Sequence, residues 1–175
     1  RVLFRSVERG WANEDQVIIM GGSAGGLTVL QSLILYPGFY KAAICLYGVT
    51  DLESLTRDTH KFEKHYTDSL VGTLPGALQV YRDRSPRYHA DRIKDPVAVF
   101  QGADDVVVPP SQAEAIVRAL QENNVPHIYQ VYAGEGHGWR KFETIVSFYE
   151  SALAFISEYV MGNAPEDDLS TEEVE

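Results

Sequence analysis

The chain has 175 residues, 45% of them apolar and 23% charged, with a net charge of −10 at pH 7. That length and mix suit one globular domain with a sizeable core, and no apolar run approaches the roughly 20 residues that span a bilayer. Residues 166–175 hold six acids and no base, leaving 19 acids against 15 bases elsewhere with no basic stripe, so neither nucleic acid nor a membrane is an expected partner.

Residues 1–10 lack the apolar stretch of a signal peptide, and a cytoplasmic protein is expected. Four short apolar runs then alternate with helical patterns. The runs are 16–21, 42–48, 96–102 and 127–133, each read as a strand buried on both faces. Residues 24–36, closed by Pro37-Gly38, and residues 111–124 have helical spacing. The last helix carries Phe142, Ile145, Val146, Tyr149, Ala152, Leu153, Ile156, Tyr159 and Val160 at i, i+3, i+4, i+7 intervals. Strand alternating with helix predicts an α/β fold on a mostly parallel sheet. Residues 51–93 interrupt the alternation with a polar, aromatic segment that holds Asp58, His60, Lys61, Phe62, His65 and Tyr66. It reads as a helical excursion, either a pocket wall or an ordinary surface loop. The acidic residues 162–175 read as a solvated, disordered tail. Cys45, the single cysteine, reads as a small core residue, so no disulfide framework or cysteine metal site is expected.

The informative stretch is "VIIMGGSAGGLT", residues 17–28. Gly21 and Gly26 have the outer spacing of a phosphate-binding loop, but Leu27 stands where its lysine belongs. A dinucleotide-binding turn would need glycine at 23, where Ser23 sits. A further reading is a tight strand-to-helix turn with no function. The reading that accounts for the glycines is a nucleophile elbow, G-x-S-x-G, in which Ser23 occupies a strained turn and projects from the sheet edge. Gly21 and Gly25 are then expected because a Cβ at either would strike neighbouring backbone. The helix that follows aims its N-terminus at the site, and the Ala24 amide becomes one oxyanion donor.

A serine of this kind needs a base and an orienting acid. Of the five histidines, only His137, in "GEGHGW", follows the last strand in a glycine-rich loop. His60, His65, His89 and His127 do not. The acid is open between Asp104 and Asp105 in "FQGADDVVVPP", with Asp51, after the second strand, a weaker rival. No metal or organic cofactor is called for.

These segments together resemble the catalytic domain of the prolyl oligopeptidase family of serine peptidases, in particular its acylaminoacyl-peptidase and dipeptidyl-peptidase-like members. The matching stretches are "GGSAGG", "LYGVTDLESLTRDTHKFEKHY", "RSPRYHADRIKDPVAVFQGADDVVVPPSQAEAIVRAL" and "GEGHGWRKFETI", covering nearly all of residues 16–161. The resemblance implies an α/β-hydrolase fold with its strands in sequential order, Ser23 as nucleophile and His137 as base. Members read G-x-x-D-x-x-V-P in the acid loop, which from Gly102 to Val108-Pro109 implies Asp105. They also have an earlier half of the sheet, which carries a second oxyanion donor, and usually a β-propeller. Residues 1–161 are thus expected to form a partial catalytic domain lacking its first strands, neither well folded nor active alone.

The leading functional reading is a serine peptidase acting on short peptides or acyl-peptides through an acyl-enzyme. A carboxylesterase on the same machinery is the alternative. A third reading is a non-catalytic interaction module that docks a partner on the aromatic last helix. A homo-oligomer is compatible with any of the three.

Overall fold

The computed structural model describes residues 2–58 and 66–162. Most of the excursion's His60–Tyr66 cluster and nearly all of the expected acidic tail lie outside the described residues. A short helix, α1 (Val2–Glu8), precedes the sheet. Four strands follow, β1 (Ile18–Gly22), β2 (Ala42–Leu46), β3 (Val97–Gly102) and β4 (His127–Tyr132), paired in the order β1-β2-β3-β4 with every pair parallel. The sequential order is the one that the resemblance implies.

The crossovers are helical. α2 (Ala24–Leu35) joins β1 to β2, and α6 (Pro110–Glu122) joins β3 to β4. Both pack on one face of the sheet, where Leu30 and Leu33 of α2 and Ile116 and Leu120 of α6 meet Ala43, Cys45, Val97 and Val99. The other face is covered by α7 (Phe142–Ile156), whose Phe148, Ala152 and Phe155 meet Ala42, Ile44, Ala98 and Phe100. Small residues on β2 let the helices close in on the sheet. Cys45 is fully enclosed there, and burial pushes its thiol up to about 12, so it stays protonated and unreactive.

Two expectations need correction. Only β2 and β3 are buried on both faces; β1 and β4 are half-buried, and Met20 on β1 is 59% exposed. They are the two edges of the sheet, where each strand has a neighbour on one side only. The apolar pattern of the last helix also points partly outward. Phe142, Tyr149 and Leu153 are exposed, whereas Thr144, Phe148, Ala152 and Phe155 are buried. The helix is apolar around most of its circumference, so spacing alone does not select the face that meets the sheet. Past Ile156 it loosens into a π-turn at Ser157–Met161 that ends on Gly162 in the left-handed conformation.

The excursion between β2 and β3 includes three short helices, α3 (Leu52–Asp58), α4 (Tyr66–Val71) and α5 (Leu78–Asp83). They enclose a separate apolar cluster of Val49, Leu52, Tyr81 and Val108 beside the carboxyl ends of the strands.

Candidate active site

All the loops that carry the candidate residues leave the carboxyl ends of the strands, the edge at which open α/β sheets bind ligands. Ser23 follows β1 directly and takes φ 56°, ψ −122°, a conformation that is strained for a residue with a Cβ. The strain is held by its neighbours: the Ser23 amide donates to the Leu46 carbonyl at 3.0 Å, and the Ser23 carbonyl accepts from Gly26 at 3.0 Å. A Cβ on Gly21 would lie 2.6 Å from the Gly25 carbonyl oxygen, so Gly21 is sterically required. Gly25 is not: a Cβ there meets nothing within 4 Å. Its part in the turn is its backbone, which fills the space over Gly21. Ala24 opens the first turn of α2, where amides have no intrahelical acceptor.

His137 comes from the loop after β4. Its Nε2 lies 3.0 Å from Ser23 Oγ, and its Nδ1 lies 2.8 Å from Asp105 Oδ2. A carboxylate accepts only, so Nδ1 carries the proton and Nε2 is left to accept from the serine hydroxyl. Asp105 is buried in the loop after β3. Its Oδ1 accepts from the Val107 and Val108 amides, each at 2.9 Å, and its Oδ2 also accepts from Gln101 Nε2 at 3.3 Å. Asp104 has an exposed side chain, and among the described residues it is tied only through its amide, which donates to the Glu135 carbonyl at 2.9 Å. Asp51 is buried elsewhere, ion-paired with Arg87 at 2.7 Å and accepting from the Glu53 amide at 3.0 Å. Of the three carboxylates, Asp105 alone meets the imidazole.

Three further residues support this arrangement and escaped the sequence reading. Gln101 is the polar residue in the otherwise apolar β3, and its amide also donates to the Val108 carbonyl at 3.1 Å, pinning the acid loop. Glu135 is 1% exposed, and its carboxylate accepts from the Arg140 and Lys141 amides at 3.0 and 2.9 Å. Those bonds, the Lys141 amide foremost, hold its carboxyl below the usual glutamate range. They cinch the loop that bears His137 onto the start of α7. Tyr47, just past β2, packs its ring on His137 with centroids 4.6 Å apart. Signals were present in each case: a glutamine among buried apolar residues, an acid two positions before the histidine, and an aromatic beside a glycine.

A cavity of about 330 Å³ opens beside Ser23, walled by Leu27, Val49, Leu52, Leu55, Leu70 and Val108. The described part of the excursion therefore acts as a pocket wall. His89 and His127 lie outside the site, the latter with Nδ1 2.7 Å from the Val125 carbonyl; His60 and His65 are not among the described residues. Among the described residues no cluster of histidine, cysteine or carboxylates has the arrangement to hold a metal ion. No described helix is long and apolar enough to cross a membrane.

The profile of the prolyl oligopeptidase family matches residues 4–163. Dipeptidyl aminopeptidase BIII of Pseudoxanthomonas mexicana is 29% identical over 91% of this chain and 24% of its own length. A probable carboxylic ester hydrolase, LipM, of Mycobacterium tuberculosis is 32% identical over 66% of this chain and 30% of its own. The solved structure of a puromycin-hydrolyzing peptidase from Mycobacterium tuberculosis superposes with a TM-score of 0.86, at 40% identity, over 91% of this chain and 24% of that one. The chain thus spans about a quarter of the length of the peptidases it matches. The shared sheet is that of an α/β hydrolase, and with the match running from ahead of β1 to the end of the last helix, the chain belongs to the prolyl oligopeptidase family.

Proposed function

We propose that this chain carries the nucleophile, base and acid of a serine peptidase that hydrolyses short peptides or acyl-peptides. The observation that carries the reading is the continuous hydrogen-bond path from Ser23 Oγ through His137 to Asp105 Oδ2, at 3.0 and 2.8 Å. Ser23 Oγ attacks the scissile carbonyl while its proton passes to His137 Nε2. Asp105 keeps Nδ1 protonated and stabilises the imidazolium. The Ala24 amide, at the positive end of α2, donates to the oxyanion. Collapse expels the amine, which takes the proton from Nε2, and leaves an acyl-enzyme for water to hydrolyse. The leucine- and valine-lined cavity beside Ser23 suits an apolar side chain on the acyl side of the bond.

The outer edge of β1 is, in this reading, completed by further strands outside the given sequence. Two observations support it: the exposed Met20 on that edge, and relatives about four times as long. The second oxyanion donor would come from that region. The esterase alternative draws on the likeness to LipM and on machinery that does not itself select amide over ester. The test is to label the full-length protein with a fluorophosphonate, then compare matched aminoacyl-amide and short-chain ester substrates. Labelling at Ser23 with amide turnover is expected. Fast ester cleavage with negligible amide cleavage removes the peptidase claim, and no label at Ser23 removes the hydrolase.

A further inference from the structure

Tyr47 adopts φ 36°, in the left-handed region where a residue with a Cβ is strained. The strain is not a frayed strand end, because the Tyr47 amide still donates to the Phe100 carbonyl at 2.7 Å. The turn of backbone goes with a ring lodged between the elbow and the base. On one side the ring lies over Gly22, where a Cβ would stand 2.8 Å from Tyr47 Cε2. On the other it meets the His137 imidazole at 4.6 Å with the planes inclined by 59°. Trp139 backs it edge-on at 5.3 Å, and Tyr132 in turn backs Trp139 at 4.9 Å. The ring is thus wedged, with the core behind it.

We propose that Tyr47 is a positioning residue for His137 and that its contribution falls in the second half of the reaction, hydrolysis of the acyl-enzyme. The proposal rests on the triad reading above. In the free enzyme the imidazole is held at both ends, by Asp105 at Nδ1 and by Ser23 at Nε2. Once Ser23 Oγ is esterified it has no proton to donate, and the second tether is lost. The ring then keeps one hydrogen bond, about which it can swing, and the Tyr47 face is the stop on that motion. Both proton transfers of this half need Nε2 in line. Water oxygen bonds to the acyl carbon as its proton passes to Nε2. The bond between that carbon and Ser23 Oγ then breaks, Nε2 returns the proton to Oγ, and the acid leaves.

The test is rapid-mixing release of p-nitrophenolate from a p-nitrophenyl ester of an N-blocked apolar amino acid. It compares the full-length wild-type protein with Tyr47→Gly, Tyr47→Asn and Tyr47→Phe. Glycine and asparagine both tolerate positive φ, so each removes the ring without adding backbone strain. For both, the steady rate after the burst should fall roughly three- to tenfold, the scale of one aromatic contact. kcat and KM should fall together, leaving kcat/KM within about twofold of wild type, since kcat/KM reports acylation. Tyr47→Phe keeps the ring and should recover most of the lost rate. A kcat/KM that falls as far as kcat, or a steady rate unchanged without the ring, overturns the proposal. A wild-type protein that gives neither burst nor fluorophosphonate label overturns the triad reading itself, and this one with it.

Discussion

Ser23, Asp105 and His137 are held by bonds of different kinds, and their substitutions should cost accordingly. Ser23→Ala or His137→Ala in the full-length protein should lower kcat by about 10⁴- to 10⁶-fold, because each deletes a group that the mechanism cannot replace. Asp105→Ala should cost somewhat less, since the base survives without its fixed tautomer. Asp104→Ala, with its side chain in solvent, should cost under about tenfold. A larger loss at 104 than at 105 in steady-state assays would reverse the assignment of the acid. Gly22 gives a separate prediction at this scale. Alanine there does not strain the turn but drives the Tyr47 ring toward His137. Gly22→Ala should lower kcat/KM by roughly ten- to a hundredfold, the scale of a misplaced catalytic group. The loss should shrink in the double variant with Tyr47→Gly, because the two residues share one space. Additive losses in that cycle would mean that the ring is not the obstacle.

At the scale of elements, the loop from β4 to α7 depends on one carboxylate. Glu135 has its pKa lowered by the Lys141 amide first, then by the other bonds around it. A lowered folded-state value means that its contribution to stability is fully present above the usual glutamate range, near 4.3. It is lost as the pH falls through the folded value. Urea titrations from neutral pH downward should show wild type losing more stability than Glu135→Gln, whose amide cannot titrate. Parallel curves would deny the carboxylate that role. The elements themselves were readable to different degrees. The four strands fall within a few residues of their apolar runs, because β-pattern and flanking turn residues agree there. The tight turn at Ser23 and the approach of His137 to it were legible because the glycine pattern and the place of each loop after a strand agree, whereas the order of strands came from the family resemblance. Burial was less so. Periodicity reports which residues are apolar, not which side has a neighbour, and so the exposure of β1, β4 and the Phe142, Tyr149 and Leu153 stripe was missed. Reading Gly25 as sterically required failed because its empty Cβ position depends on the path of the turn in three dimensions. Gln101 and Glu135 act within their own loops, on partners four to seven residues away, but a lone polar residue does not announce its partner; Tyr47 meets His137 from a loop distant in sequence, which no local pattern encodes.

At the scale of the whole molecule, β1 presents an unpaired edge whose side chains are apolar. Such an edge recruits other strands. If residues 1–175 are expressed by themselves, size-exclusion chromatography should show aggregates or a higher assembly. Aminoacyl-amide turnover should fall at least about 100-fold below the full-length protein, the value of one missing oxyanion donor. A soluble monomer with a sharp melting transition and full turnover would refute the proposal that further strands complete β1. The order of the sheet carries a different consequence, for the time course of folding. Ser23 leaves β1, Asp105 leaves β3 and His137 leaves β4, so the β3-to-β4 crossover alone can bring Asp105 to His137, whereas Ser23 joins them only once β2 has paired with β3. The β2-to-β3 connection encloses the whole excursion, and closing so long a loop delays the pairing that brings the elbow and the acid loop into one sheet. Competence to react with a fluorophosphonate should therefore return late in refolding, after the helical circular-dichroism signal, making the serine a chemical clock for completion of the sheet.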